Sequence, residues 1–217
     1  MVEAIYFVFL LKENQEIPSQ KNYYIMKKIQ TTLTTTAEFS ENGKKRYLLT
    51  KTWDESKPRL AIIMIAPSEA SGIELDNTTM LVLNNASRLG YGTVSIVNLF
   101  ATIGNLKECF AEETDKENLK YIEATAEIAD IIVYASGVGK ATNKSFIKRQ
   151  NQVLKKLKPY EDKLRCLSNA DGNARFQHPL SPAVRIWTLS PMQTEELYKE
   201  IKPTTDEKDK SISKKQK

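Results

Sequence analysis

The stretch Leu-Ala-Ile-Ile-Met-Ile-Ala, residues 60–66, indicates the fold class of this chain. An unbroken apolar run of this length, stopped by Pro67, is typical of a strand buried on both faces in a parallel sheet that helices cover. Residues 93–99 and 131–135 are predicted to be a second and a third buried strand, and residues 163–167 a short fourth strand. The sequence therefore predicts four buried strands.

Segments with helical periodicity separate these strands. Asp76 is expected to cap a helix that begins near Thr78 and stops at Gly90. The apolar face of this helix is expected to consist of Met80, Leu81, Leu83 and Leu89. Residues 111–129 have apolar side chains at helical spacing, and Lys144–Leu157 predicts a basic amphipathic helix.

The alternation of strands and helices predicts an α/β fold, a three-layer α/β/α sandwich with a mostly parallel central sheet of about four strands. Residues 46–53 are rich in β-forming side chains and predict a further strand ahead of the alternation. Residues 26–201 are expected to form a single domain. Residues 1–25, before Met26, are expected to be an extension outside the core, and the charged residues 202–217 a disordered tail.

Composition limits the function classes. The formal net charge of +5 permits a polyanionic partner but does not require one. The cysteines, Cys109 and Cys166, and the single histidine lack metal-ligand spacing, so we expect neither a metal nor another cofactor. The apolar residues 4–11 are too few to span a bilayer. We expect a protein of the reducing cytoplasm without a membrane partner.

Polar side chains follow the predicted strands where ligands bind in such sheets, at the carboxyl ends. Ser68 and Glu69 follow the first strand, Asn98 ends the second, and the only histidine, His178, follows the fourth. Two of them have structural alternatives. His178 could be a surface or capping residue, and Asn98 could be a turn residue that binds its own backbone. For Asp76 the alternative is helix capping.

Five short motifs occur in order along the chain and carry a resemblance. They are Ile65-Ala66-Pro67-Ser68, Gly90-Tyr91-Gly92, Val97-Asn98-Leu99-Phe100-Ala101, Gly137-Val138-Gly139 and His178-Pro179. This set resembles a family of small uncharacterised bacterial proteins, common on phages and mobile genetic elements, over residues 43–187. That family in turn resembles the uracil-DNA glycosylase superfamily, whose catalytic motifs follow the first, second and last strands.

The resemblance implies a DNA repair enzyme that hydrolyses the N-glycosidic bond of uracil after flipping the base out of the DNA. The turn Ala66-Pro67-Ser68 would approach the bond that is cut, and Asn98 would read the polar edge of the base. Phe100 would stack on the base, with core packing as its alternative. His178 would donate a hydrogen bond to the uracil O2 as negative charge develops there.

One departure from the superfamily concerns water activation. Many glycosylases carry Asp or Asn at the position of Ala66, where it orients the attacking water. Glu69 and Asp76 are the candidate replacements in this chain. Two alternatives to the enzyme therefore stay open: a catalytically inactive DNA-binding module of the same fold, and a nucleotide- or base-binding protein of a mobile element.

The predicted partner is DNA, single- or double-stranded. The loop Pro179-Leu180-Ser181-Pro182 would press into the DNA, with Leu180 filling the vacated stack. Candidate phosphate-binding residues, each with a solvated surface side chain as the alternative, are Arg175, Arg185, Lys140, Asn143 and Lys144. The resemblance also implies a possible protein partner, an acidic inhibitor that mimics DNA.

Overall fold

The computed structural model describes residues 28–68, 73–104, 106–111, 115–137, 143–172 and 175–201. The chain divides into two units, residues 1–32 and residues 33–217. In the first unit, the described residues 28–32 form no helix or strand. The predicted extension 1–25 and the predicted tail 202–217 lie outside the described residues.

In the described part of the chain, seven strands form one sheet with the order β1-β2-β4-β3-β5-β6-β7. The strands are β1 (Thr34–Phe39), β2 (Arg46–Thr52), β3 (Arg59–Met64), β4 (Thr93–Asn98), β5 (Ile131–Tyr134), β6 (Leu164–Ser168) and β7 (Thr188–Pro191). The helices are α1 (Asn77–Arg88), α2 (Leu106–Ala111), α3 (Lys116–Ile128), α4 (Lys144–Leu157) and α5 (Thr194–Ile201), with short 3₁₀ helices at Lys158–Lys163 and Pro182–Val184.

The α/β class is confirmed, but the predicted sheet was too small. Strands β4, β3, β5 and β6 are the four predicted strands, and they pair in parallel. β2 pairs antiparallel with β4, β1 with β2, and β7 with β6, so the sheet is mixed. β1 was missed because its sequence, TTTAEF, is mostly exposed and lacks an apolar run. The four-residue β7 is equally weak in apolar residues.

Each face of the sheet buries its own core, because successive side chains of a strand point to opposite faces. Leu60 and Ile62 of β3 pack in one cluster, which also contains Val82 of α1. Ala61 and Ile63 pack in the other, which contains buried residues of α3 and α4. The continuous apolar run that opened the prediction is thus a strand covered on both sides.

The helix predicted after Asp76 is present, but its buried face differs in part. Asp76 Oδ1 accepts a hydrogen bond from the Thr79 amide at 2.6 Å, so the predicted cap is confirmed. The predicted apolar face is confirmed only in part: Leu83 and Leu89 pack against the core, but Met80 is 43% exposed. The fully buried residues are Thr79, Val82, Asn85 and Ala86. The buried face includes Asn85, whose side chain binds the carbonyl of Arg185 and the amide of Trp187.

The other predicted helices fare better. α4 has the predicted bounds, and α3 ends as predicted within the segment 111–129. That segment is not one helix, because residue 111 closes α2 and Asp115 caps α3 separately, accepting from the Asn118 amide at 3.0 Å. Over the described residues, no helix combines the length and apolarity needed to cross a membrane.

Candidate functional site

The carboxyl ends of β3, β4, β5 and β6 bring the predicted polar residues to one edge of the sheet. Ser68 follows β3, Asn98 ends β4, and Gly137 follows β5. His178 lies against Gly137, since a Cβ built on that glycine would be 3.5 Å from the His178 Cβ. Gly137 has a φ of +73°, which a residue with a side chain rarely adopts. The backbone here allows His178 to approach closely.

Asn98 is the most informative residue of this edge. It is 1% exposed, and its backbone carbonyl accepts a hydrogen bond from Asn118 Nδ2 at 3.0 Å. The Leu99 amide is fixed in turn by the Met64 carbonyl at 2.8 Å. Yet neither Nδ2 nor Oδ1 of Asn98 has a hydrogen-bond partner among the described residues. Buried amides are normally paired, and an unpaired buried donor or acceptor costs about 1–3 kcal/mol.

His178 is half-buried and presents a defined tautomer. Burial lowers the pKa of its imidazole below the usual 6.5, and the nearby charge of Asp76 opposes this only in part. The ring is therefore neutral at pH 7. The Leu180 amide lies 3.2 Å from Nδ1 and donates to it, which leaves the proton of the neutral ring on Nε2. The Nε2–H is a hydrogen-bond donor.

Asp76 joins Ser68 and Arg46 in a polar cluster beside His178. Burial raises the pKa of Asp76, but hydrogen bonds from Ser68 and Thr79 and the charge of Arg46 outweigh burial and lower it overall. Asp76 is therefore an ionised carboxylate that both caps α1 and faces the site. Arg46 Nη1 donates to the Ser68 carbonyl at 3.3 Å and so holds the turn after β3.

The sequence-based prediction brought Ser68, Asp76 and His178 together but missed Arg46. Arg46 is buried, and burial lowers the pKa of its guanidinium, against the raising effect of Asp76. It reaches this edge because β2 runs antiparallel to β4, so the first residue of β2 lies beside the end of β4. The Arg46 amide donates to the Ala101 carbonyl at 2.9 Å. A basic residue at the start of a predicted strand was the available signal.

Three more of the predicted base-binding residues lie in the described part of the chain. Ala66 is half-buried and Pro67 buried in the turn after β3, close to Ser68. Phe100 is 1% exposed and packs against Phe110, with ring centroids 5.2 Å apart. This agrees with core packing, the structural alternative for Phe100. Glu69, the other candidate for orienting water, lies outside the described residues.

The predicted DNA-contacting loop has an exposed tip. Leu180 is 41% exposed, while the preceding Pro179 is buried. The Ser181 amide donates to the His178 carbonyl at 2.8 Å, and Ser181 Oγ donates to Gln177 Oε1 at 2.8 Å. The loop thus folds back on itself and holds Leu180 outward.

The predicted phosphate-binding residues fall into two groups. Arg175 Nη2 donates to the Pro191 carbonyl at 2.7 Å and lies 3.3 Å from Glu196 Oε2, so its side chain serves the fold. Asn143 caps α4 by accepting from the Phe146 amide at 2.9 Å. Arg185 and Lys144 are exposed. Lys140 lies outside the described residues.

No group of three or more His, Cys, Asp or Glu side chains within the described ranges is placed to hold a metal ion. The chemistry that this edge offers is a buried amide, a neutral imidazole donor and a carboxylate held by an arginine.

Comparison with known proteins identifies a family without a known function. No curated protein and no solved structure matches the chain. A family model described as "Protein of unknown function (DUF1643)" matches residues 46–180, from the first residue of β2 to the loop after His178. This span includes Arg46, Asn98 and His178. The chain belongs to the DUF1643 family.

Proposed function

We propose that this protein is a DNA glycosylase that hydrolyses the N-glycosidic bond of uracil, with the base flipped into the edge where the parallel strands end. The observation that carries the proposal is the buried side-chain amide of Asn98, which has no partner among the described residues. An amide offers one acceptor and a donor side by side. The N3–H and O4 of uracil present the complementary pair.

The fold is compatible with this proposal. Helix α1 packs on one face of the sheet and helices α3 and α4 pack on the other, which supports a glycosylase-like α/β/α sandwich. The edge where parallel strands end is the usual ligand site of such sheets. The substrate would be reached from the side on which Leu180 projects.

His178 would stabilise the leaving group. When water attacks C1′, the bond between C1′ and N1 breaks and its electron pair leaves with the base, so negative charge develops on O2, while the attacking water gives up one proton to the Asp76 carboxylate. The Nε2–H of a neutral His178 would donate to this oxygen without first needing a proton. Removing such a donor typically lowers the rate by about 10²–10³-fold, or roughly 3–4 kcal/mol.

Asp76 would orient the attacking water in place of the missing side chain at Ala66. Its carboxylate is held ionised by Ser68, Thr79 and Arg46, and a carboxylate accepts up to about four hydrogen bonds. The same negative charge would stabilise the electron-poor sugar that forms as the base departs. In this proposal one carboxylate both caps α1 and serves the reaction.

The DNA contact would centre on Leu180. Extruding a base costs a few kcal/mol of lost stacking and pairing. An exposed leucine at the tip of a self-bonded loop is suited to fill the vacated space. We expect the enzyme to work in DNA repair in the cytoplasm, and an acidic DNA-mimicking protein is the inhibitor that such a surface would accept.

A second candidate function has a specific observation in its favour. Ala66 carries no polar group at the position where many glycosylases orient water. The same edge would then bind a uracil base in DNA, or a free nucleotide, without hydrolysing it. Binding without base release distinguishes this module from the enzyme.

The test is uracil release from labelled single-stranded and duplex oligonucleotides, detected by alkaline cleavage at the abasic site. Wild type is compared with His178→Ala and Asn98→Leu, and with Asn84→Leu as control, because Asn84 is an exposed asparagine of α1. We expect release by wild type and Asn84→Leu, and a loss of at least about 100-fold in the other two. Equal release by the wild type and all three variants contradicts the site. Binding without release by wild type favours the inactive module.

A further inference from the structure

The three buried asparagines of the described chain differ in what their side-chain amides contact. The amide of Asn85 binds three backbone groups. Asn118 donates from Nδ2 to the carbonyls of Asn98 and Leu99, at 3.0 and 3.1 Å. In contrast, neither Nδ2 nor Oδ1 of Asn98 has a hydrogen-bond partner among the described residues. Hydrogen bonds therefore fix the orientation of the first two amides, but not that of the Asn98 amide.

The backbone at Asn98, unlike its side chain, is held by side chains of two helices. The Asn98 carbonyl accepts from Asn118 of α3, and the Leu99 carbonyl accepts from Asn118 and from Arg149 Nε of α4, the latter at 2.6 Å. The Asn98 side chain lies on the other face of the sheet, because Ile96 of the same strand packs in the cluster of α1 and side chains two residues apart share a face. The contacts from α3 and α4 thus fix the position of the amide without binding the amide itself.

A half-turn of the Asn98 amide about its last side-chain bond exchanges the donor for the acceptor. The oxygen and the NH₂ group of an amide are nearly the same size, so hydrogen bonds are what distinguish the two orientations. No hydrogen bond within the described residues favours either orientation of Asn98. A bound ligand can therefore select the orientation that matches its own donor and acceptor.

We propose that the site binds cytosine as well as uracil, through the two orientations of the Asn98 amide. In one orientation Oδ1 accepts from the uracil N3–H and Nδ2 donates to O4. In the other, Oδ1 accepts from the cytosine N4–H₂ group and Nδ2 donates to N3. Both bases carry O2, the atom to which His178 would donate, so that contact does not distinguish them. This inference rests on the proposed function for its choice of a pyrimidine base as the ligand.

An amide fixed in one orientation would discriminate between the two bases. If Asn98 were held in the uracil orientation, cytosine would place a donor against Nδ2 and an acceptor against Oδ1. Sites whose buried polar groups are left unpaired by the wrong ligand reject it by about 10⁴-fold or more. An amide that turns freely meets each base in the matching orientation in about half of the molecules, which weakens binding only about twofold. The two dissociation constants should then lie within about tenfold of each other.

The experiment measures binding of free uracil and of free cytosine to the full chain at neutral pH, where both bases are uncharged. His178 is the only histidine, so its ring signals in NMR spectra report occupancy of the site directly. Wild type is compared with Asn98→Leu, which lacks both polar atoms, and with Asn84→Leu, a matched control at an exposed asparagine of α1. We expect wild type and Asn84→Leu to bind both bases with similar affinity, and Asn98→Leu to bind both at least about tenfold more weakly.

Uracil release from oligonucleotides by the same proteins separates this inference from the proposed function. A difference of more than about tenfold between the two bases, in either direction, overturns the inference, as does binding that is unchanged in Asn98→Leu. If wild type binds neither base, the inference is overturned and uracil release alone decides the glycosylase. Similar binding of both bases without uracil release supports the inference and removes the enzymatic function.

Discussion

Asn98→Leu is expected to make the free protein more stable while it abolishes function. The Asn98 side chain is 1% exposed, and both of its polar atoms lack a hydrogen-bond partner among the described residues. Leucine has nearly the same branched shape and no polar atom, so the substitution removes a desolvation cost without leaving another group unpaired. Residues retained for binding at the expense of stability are expected to behave in this way.

The expected gain in stability follows from the cost of burying an amide without hydrogen-bond partners. An unsatisfied buried polar group costs about 1–3 kcal/mol, and we take that range for the amide as a whole. For a chain of 217 residues, each kcal/mol shifts the Tm by roughly 2–4 °C. Asn98→Leu should therefore raise the Tm by roughly 2–12 °C. Thermal unfolding followed by circular dichroism, with urea unfolding as a second measurement, gives both quantities.

Asn85→Leu is the matched control. Asn85 is also buried, but its amide donates to the carbonyls of Leu81 and Arg185 and accepts from the Trp187 amide. Its removal leaves buried backbone groups unpaired and should lower stability by about 1–3 kcal/mol. If Asn98→Leu destabilises the protein as Asn85→Leu does, the Asn98 amide is a structural group and the reasoning fails.

Four further predictions concern the groups around His178. Because His178 is the only histidine, its NMR signal reports its titration directly. We expect a titration midpoint below pH 6.5, and Asp76→Asn should lower the midpoint further because it removes a negative charge beside the ring. A midpoint at or above pH 6.5 contradicts the half-buried neutral ring. The pKa of His178 is lower in the folded protein than in the unfolded chain. Its contribution to stability is therefore complete above pH 6.5 and declines as the pH falls toward the pKa of the folded protein. Urea unfolding at several pH values measures this decline. Arg46→Gln removes the charge that helps to lower the pKa of Asp76, and it also removes a hydrogen bond to the Ser68 carbonyl. It should lower the free energy of unfolding by about 1.5–3 kcal/mol, measured by urea unfolding. An unchanged urea midpoint shows that Arg46 does not hold the turn after β3. Leu180→Ala should slow uracil release from duplex DNA by about tenfold, because losing about half of an unstacking cost of a few kcal/mol lowers the rate by a factor of about ten. Release from single strands should be unchanged. Equal slowing on both substrates refutes the role of Leu180 in filling the vacated stack.

The parts of the fold that follow from local pattern could be predicted from the sequence. Apolar stretches identified β3, β4 and β5, the alternation with helices placed the short β6, and the basic amphipathic pattern gave α4 its bounds. The Asp76 cap followed from residue type alone. These features depend on neighbours within a few residues, which is the range over which periodicity and capping act.

The features that depend on distant partners could not be predicted. The exposed edge strand β1 forms because β2 pairs with it, and its own sequence is polar. The buried face of α1 includes Asn85, whose partners lie about one hundred residues away. Arg46 joins the site through the antiparallel direction of β2, which composition does not reveal. For the site, the motif order located Asn98 and His178, but only the structure gives the unpaired amide of one and the tautomer of the other.

The loop that carries His178 and Leu180 is held at both of its ends. At the first end the Gln177 amide donates to the Leu167 carbonyl of β6 at 3.3 Å. At the second, Asn85 and Arg88 of α1 grip the backbone of residues 185–187, with Arg88 Nη2 donating to the Trp187 carbonyl at 2.8 Å. A loop that is hydrogen-bonded at both ends is expected to keep its position rather than close over the site. If the proposed function holds, DNA that meets Leu180 would have to bend or unstack around the protein, and base selection would rest on how easily each base pair deforms.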